Sequence, residues 1–251
     1  MLKKLKKKLR FLAMDFGELI DEYIKKKNDD DVHYKVRGKY SPSDLGKSCM
    51  LQSYFKSTTE QIEWAPEKLR IFEAGNLIHD FCQKVVAQDK KFEFVETESK
   101  FFAVVPDEKE LITISGRADI ICREKGSEEL VVFEIKSIKD LYYRRDSPMP
   151  EHVNQILLYM GCLHSNEGYI VYVNKDNLET ITHKIEYDHK KFLDILTWIR
   201  RLHYHVIAEN PPEAEFDPEK TRWPCEYCSF EKQRILLVKK EKDSETEELL
   251  E

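Results

Sequence analysis

The chain has 251 residues, 41% hydrophobic and 35% charged, with a formal net charge of −6. That is enough chain for one large domain with a small lobe, and no apolar run is long enough to span a membrane. The acidic balance argues against nucleic-acid binding by bulk charge, so any such binding must use local basic patches.

The opening MLKKLKKKLRFLAMDFGEL is basic, but its apolar stretch is too short for a signal peptide, which points to a cytoplasmic protein. Residues 2–27 read as an amphipathic helix, with Leu5, Leu9, Leu12, Phe16, Leu19 and Ile20 at helical spacing among lysines. Such a helix docks on the body of the protein with its basic face outward, or serves as a phosphate-contacting arm. Ser41 or Ser43 can cap a second helix with Pro42 in its first turn, and this helix carries Cys49. A third helix, from about Pro66 to Ala87, has the apolar stripe Leu69, Phe72, Leu77, Ile78, Phe81 and Val85. His79 lies on it one turn after Gly75, where the missing side chain lets another segment come close.

After a strand at Lys100–Val105, residues 111–137 form the centre of the chain. Two β-rich runs, Leu111–Arg123 and Leu130–Ser137, flank Gly126-Ser127 and read as a hairpin with a two-residue turn. Centring the pairing on that turn puts Asp119 opposite Glu134, with Cβ atoms about 5 Å apart. Like charges so placed repel unless a cation lies between them. Lys136 shares the Glu134 face, because side chains two apart on a strand point the same way. Two carboxylates and an ammonium beside Gly116 make a site for a hard cation with a positive group next to it; an exposed strand face of mixed charge is the bland alternative.

Tyr142, Tyr143, Arg144 and Arg145 follow in a loop, placed to stack on bases and pair with phosphates or simply to form a surface loop. Glu151–His164 reads as a helix with Val153, Ile156, Leu157, Met160 and Leu163 inward, and with Gln155 and Tyr159 sharing a face. Strands at Gly168–Asn174 and Thr180–Ile185 flank a turn, and Asp188 caps a helix running to about Glu209. Cys225 and Cys228 then form a C-x-x-C pair, which in a reducing compartment reads as a metal motif rather than a disulfide.

The ordered series Cys49, Gly75-x-x-x-His79, Gly116-x-x-Asp119, Glu134-x-Lys136, Gln155-x-x-x-Tyr159 and Cys225-x-x-Cys228 resembles the RecB-like branch of the PD-(D/E)XK nucleases. Within it the likeness is to the CRISPR-associated Cas-four exonucleases and the nuclease domain of the AddB helicase-nuclease subunit, from about Tyr40 to Phe230. The resemblance implies an α/β fold: a mixed central sheet flanked by helices, with a small C-terminal cysteine lobe. It divides the chain into a basic helix and loop at 1–39, a nuclease domain at 40–238 and a charged tail at 239–251. It implies that His79, Asp119, Glu134 and the backbone carbonyl of Ile135 hold Mg²⁺ or Mn²⁺. Lys136 then orients and polarises the attacking water, and Gln155 and Tyr159 position the site and the DNA strand. The family's cysteine pattern is one early and three late, around an iron–sulfur (4Fe-4S) cluster. Here Arg234 stands in the last position, so Cys49, Cys225 and Cys228 are an incomplete set that leaves a cluster, zinc or no metal open.

These implications amount to a metal-dependent DNA exonuclease on single-stranded ends, in CRISPR adaptation, recombination or viral replication. Its partners would be DNA and the proteins of a CRISPR or recombination complex, with no membrane. The alternative is a non-catalytic DNA-binding or assembly subunit that keeps the fold.

Overall fold

The β-branched and aromatic runs in the middle of the chain build a six-stranded mixed sheet. The computed structural model describes residues 15–30, 37–45, 47, 49–59, 64–106, 111–213, 215, 228–231, 233–235 and 237. In chain order these form α1 (Phe16–Asp30), β1 (Lys39–Tyr40), α2 (Met50–Thr58), α3 (Pro66–Gln88), β2 (Phe92–Val105) and β3 (Ile112–Glu124). They continue as β4 (Val131–Ile138), α4 (Pro150–Leu163), β5 (Glu167–Asn174), β6 (Thr180–Glu186) and α5 (His189–Ile207). The expected mixed sheet with flanking helices is therefore present. Cys225 lies outside the described residues, as do Leu5, Leu9 and Leu12.

One edge of β3 is paired antiparallel with β2 along nearly its whole length. The other edge is shared: β1 runs parallel to it at Thr113–Ile114, and β4 runs antiparallel at Ile120–Cys122. Among the described residues, 115–119 have no strand partner on that edge, so the sheet forks there. A 3₁₀ turn at Pro42–Asp44 enters the fork. Gly116 makes room for it, since a Cβ there would lie 2.6 Å from Pro42 Cδ. Beyond β4 the sheet continues through parallel β5 and antiparallel β6.

Side chains alternate along β5, with Ile170 and Tyr172 in a large core and Val171 and Val173 in a smaller one on the opposite face. The large core takes in α2, α4 and α5 through Met50, Ile156, Leu157 and Ile199. The smaller one is closed by Ile78, Cys82 and Val86 of α3.

Four expectations need correction. The hairpin turn is longer than two residues, with the strands ending at Glu124 and resuming at Val131. The register is nevertheless the expected one, Ile120 facing Phe133 and Cys122 facing Val131, because the loop is still centred on Gly126-Ser127. Cys49 does not ride inside a helix opened at Ser41; the 3₁₀ turn stops and Cys49 caps the separate α2. In α3 only Leu69 and Ile78 of the expected stripe turn inward, while Phe72, Leu77, Phe81 and Val85 are exposed. That helix is apolar on more than one side, and the sheet selects the face spaced Ile78, Cys82, Val86. In α1 the buried residue is Ile24, with Phe16, Leu19 and Ile20 exposed. The helix is seated on α3 by Lys27–Glu73 at 2.8 Å and Arg70–Asp21 at 3.3 Å.

Candidate active site

Asp119 lies at the mouth of the fork, where the alternation of β3 breaks. Ala118 belongs to the large core and Ile120 to the small one, although residues two apart on a regular strand share a face. The partner strand is irregular at the same level. Glu98, between the pairs Thr97–Ile120 and Ser99–Ala118, has φ +53°. For a non-glycine residue that left-handed conformation costs roughly 1 kcal/mol or more. Freed from the ladder towards β4, Asp119 uses its side chain in place of a backbone carbonyl: Oδ2 accepts the Ile135 N–H at 2.7 Å. Its other oxygen, Oδ1, lies 3.5 Å from His79 Nδ1, which reaches across from α3. Gly75, one turn earlier, faces Ser137 of β4, which would be 3.3 Å from a Cβ there.

Glu134 is 2% exposed. Its Oε1 is 2.6 Å from Lys136 Nζ, and its Oε2 is buried with no hydrogen-bond partner. Lys136 Nζ also donates to Gln155 Oε1 at 3.0 Å. Gln155 Nε2 donates to Tyr159 Oη at 3.0 Å, and Tyr159 donates to the Arg117 carbonyl at 3.0 Å. The two polar residues of α4 are thus buried as links of one chain that fixes the ammonium and ties the helix to β3.

Charge at this site is poorly compensated. Burial and then the Asp119 carboxylate push Glu134 up to about 7, against the pull of Lys136. Burial alone would lower His79, but the hydrogen bond and charge of Asp119 and the charge of Glu134 leave it above its ordinary value. Burial likewise opposes the Lys136 ammonium, and Glu134 and Asp119 more than reverse this. In the ion-free site Lys136 is therefore held charged.

The donor set fits a hard divalent cation: an imidazole and two carboxylates, one of which, Glu134, has a buried oxygen left without a hydrogen-bond partner. Among the described residues no three His, Cys, Asp or Glu side chains are yet drawn together closely enough to hold an ion.

The loop of Tyr142–Arg145 follows β4, with Tyr142 and Tyr143 exposed. Their rings meet edge to face at 5.4 Å, and Arg145 lies over Tyr142 at 5.7 Å. His183 of β6 anchors the loop by a 2.7 Å contact with the Arg144 carbonyl. Sequence reasoning passed over His152, which contacts Tyr172 Oη at 2.8 Å. Burial and then Lys136, Arg144 and Lys47 push it down to about 3, so it stays neutral among cations. Its place one turn before Gln155 was the available signal.

Cys49 and Cys228 pack against the same core, and Phe55 stacks on Phe230 at 6.0 Å. Burial, then Glu215 and Cys228, push the Cys49 thiol up to about 11. Both Glu215 carboxylate oxygens accept the Met50 N–H at 2.9 Å, placing a negative charge at the start of α2.

The sequence profile of the PD-(D/E)XK nuclease superfamily matches residues 4–233. A CRISPR-associated exonuclease Cas4 from Saccharolobus solfataricus is 23% identical over 217 residues, covering 84% of this chain and 96% of the relative. The crystal structure of SSO0001 superimposes with a TM-score of 0.63 at 21% identity, over 87% of this chain and 95% of that one. No described helix is long and apolar enough to cross a membrane.

Proposed function

The chain belongs to the PD-(D/E)XK nuclease superfamily, and on that footing we propose that it is a Mg²⁺- or Mn²⁺-dependent DNA exonuclease acting on single-stranded ends. The observation that carries this reading is the fork. Asp119 and the orphaned oxygen of Glu134 share it with His79 and with an ammonium fixed by Gln155. His79, Asp119, Glu134 and the Ile135 carbonyl are the proposed ligands. A divalent ion held there supplies Lewis acidity towards water and phosphate. Lys136, aimed by Glu134 and Gln155, orients the attacking water and balances charge developing on the phosphate. Tyr159 keeps α4 in place through the Arg117 carbonyl. Tyr142, Tyr143, Arg144 and Arg145 stack on and pair with the incoming strand.

The likeness to a CRISPR-associated exonuclease supports work on DNA ends beside CRISPR proteins. Cys49, Cys225 and Cys228 with one non-thiolate donor suit zinc or an iron–sulfur cluster. Iron and zinc analysis of anaerobically purified protein separates those cases from cysteines without metal.

The test is degradation of end-labelled linear and circular single-stranded DNA with Mg²⁺, Mn²⁺ or excess EDTA. Loss of the linear substrate alone, only with metal, is the expected result. Equal attack on circles would make the protein an endonuclease, and undiminished activity in EDTA would remove the metal from the mechanism.

A further inference from the structure

Arg117 stands two residues before Asp119 and leaves about half of its side chain, 51%, in solvent. Directly opposite it on β2 is Lys100, also exposed. Like charges facing each other across a ladder, with Cβ atoms about 5 Å apart, destabilise a sheet. Two cations so placed beside a site that handles phosphodiesters call for an anion between or above them.

The free protein supplies a partial one. Glu98 Oε2 lies 3.5 Å from Arg117 Nε, a single long contact for a group that carries five donors in a rigid fork. Glu98 does not reach this place by ordinary strand geometry. Its backbone is in the left-handed region at φ +53°, level with Asp119. Its other oxygen accepts from Gln83 Nε2 at 3.0 Å. Gln83 is 8% exposed and lies one turn after His79 on α3, so a buried amide is committed to holding this carboxylate. A strained residue, a buried donor spent on it and an under-used guanidinium therefore meet beside the candidate metal ligands. An ion pair serving only the stability of the sheet needs none of this, since a carboxylate on a regular strand can pair with a cation across the ladder.

We propose that Arg117, with Lys100 opposite it, binds a backbone phosphate of the substrate strand, and that Glu98 holds the guanidinium in the phosphate's absence. This rests on the nuclease reading and extends it to the β2–β3 side of the fork. An exposed Arg–carboxylate pair is weak enough to be exchanged, and a phosphate can take the guanidinium in two parallel hydrogen bonds. The Arg117 carbonyl already receives the Tyr159 hydroxyl, so the residue that grips the strand is fastened to the helix that aims Lys136.

The experiment measures binding of a fluorescein-labelled single-stranded oligonucleotide in EDTA, where nothing is cleaved, across a salt series. Thermal unfolding of each variant checks that it is folded. Arg117→Ala is expected to weaken binding about tenfold and to reduce the slope of log affinity against log salt by about 0.7, the release expected for one single-strand phosphate. Arg117→Lys keeps the charge and should keep the wild-type slope. Glu98→Gln still accepts from Gln83 but frees the guanidinium, and should tighten binding about two- to fivefold, on the scale of an exposed ion pair. Introduced together with Arg117→Ala, Glu98→Gln should change nothing further. An Arg117→Ala slope equal to wild type, or a Glu98→Gln effect that survives the loss of Arg117, overturns the proposal. Wild-type protein that degrades no DNA with either metal overturns the nuclease reading instead, so the two failures are distinguishable.

Discussion

The fork at Asp119 and the contacts around Cys49, where the sequence led to the expectation of a cysteine lobe, are both junctions between distant parts of the chain, and they are built on different terms. At the Cys49 junction, Phe55 stacks on Phe230 and Glu215 takes the first N–H of α2, and the oxygen left without a partner in that segment, Gln233 Oε1, belongs to a neutral amide. At the fork, burial is left partly unmet. Glu134 has an orphaned oxygen, two carboxylates share a small space, and Glu98 holds a costly backbone conformation. A junction that only fastens has no use for uncompensated charge, because that charge costs stability. Under the proposed function the contrast puts chemistry at the fork and attachment at the Cys49 junction.

The largest effect should come from Asp119. Asp119→Asn keeps an acceptor for the Ile135 N–H but removes the charge, so the fold should survive. Activity should fall by three orders of magnitude or more, on the order expected when a cation site loses a charged ligand. Initial rates on end-labelled DNA measure it, and near wild-type rates would move the cation elsewhere. Lys136→Ala should follow, with a loss on the order of 10²–10⁴-fold, yet with divalent-cation affinity by calorimetry largely kept. A collapse of that affinity would make Lys136 part of the cation site.

Next in size is the pH dependence of the metal-free protein. Glu134 is raised from its ordinary 4.5 to about 7 by burial and Asp119. His79 is held above 6.5 by Asp119 and Glu134 despite burial. Over this range the folded state binds more protons than the unfolded chain, so stability is greatest below it and falls as pH rises through it. Melting temperature in EDTA should decline from about pH 5 to about pH 8, and Glu134→Gln should flatten the decline. Added Mg²⁺ or Mn²⁺ should restore more at the alkaline end, because its ligands must be deprotonated. A flat wild-type profile would mean that the fork stores no such charge.

How far the sequence carried this contrast depends on whether the signal was local. The pairing of β3 with β4 followed from the turn centre, and Glu134 with Lys136 from strand periodicity. The Asp188 cap was legible because Lys191 N–H lies within one turn of it. What stayed hidden was tertiary. Period two predicts that Ala118 and Ile120 share a face, and only the irregularity opposite, at Glu98, separates them. No local rule pairs Gln83 with Glu98 or Tyr159 with the Arg117 carbonyl. The stripe of α3 was misread for a similar reason: that helix carries more apolar residues than the sheet can cover, so composition could not choose its inner face.

The smallest effect on catalysis should be at the Cys49 junction. Glu215 is the only described residue between 213 and 228, and its carboxylate sits on the Met50 N–H where α2 begins and Cys49 caps it. Glu215→Ala removes both the hydrogen bond and the negative charge from a helix start, together costing about 1 kcal/mol. For a domain of this size that lowers the melting temperature by about 2–4 °C. The rate per folded molecule should not change, since nothing in the chain from Lys136 through Gln155 and Tyr159 to Arg117 passes through α2. Single-turnover rates at a temperature well below the transition, set beside the thermal shift, make the measurement. A shift with unchanged rate keeps attachment and chemistry apart. A lost rate with an unchanged melting temperature would place the Cys49 junction inside the catalytic machinery, and the division between the two junctions would fail.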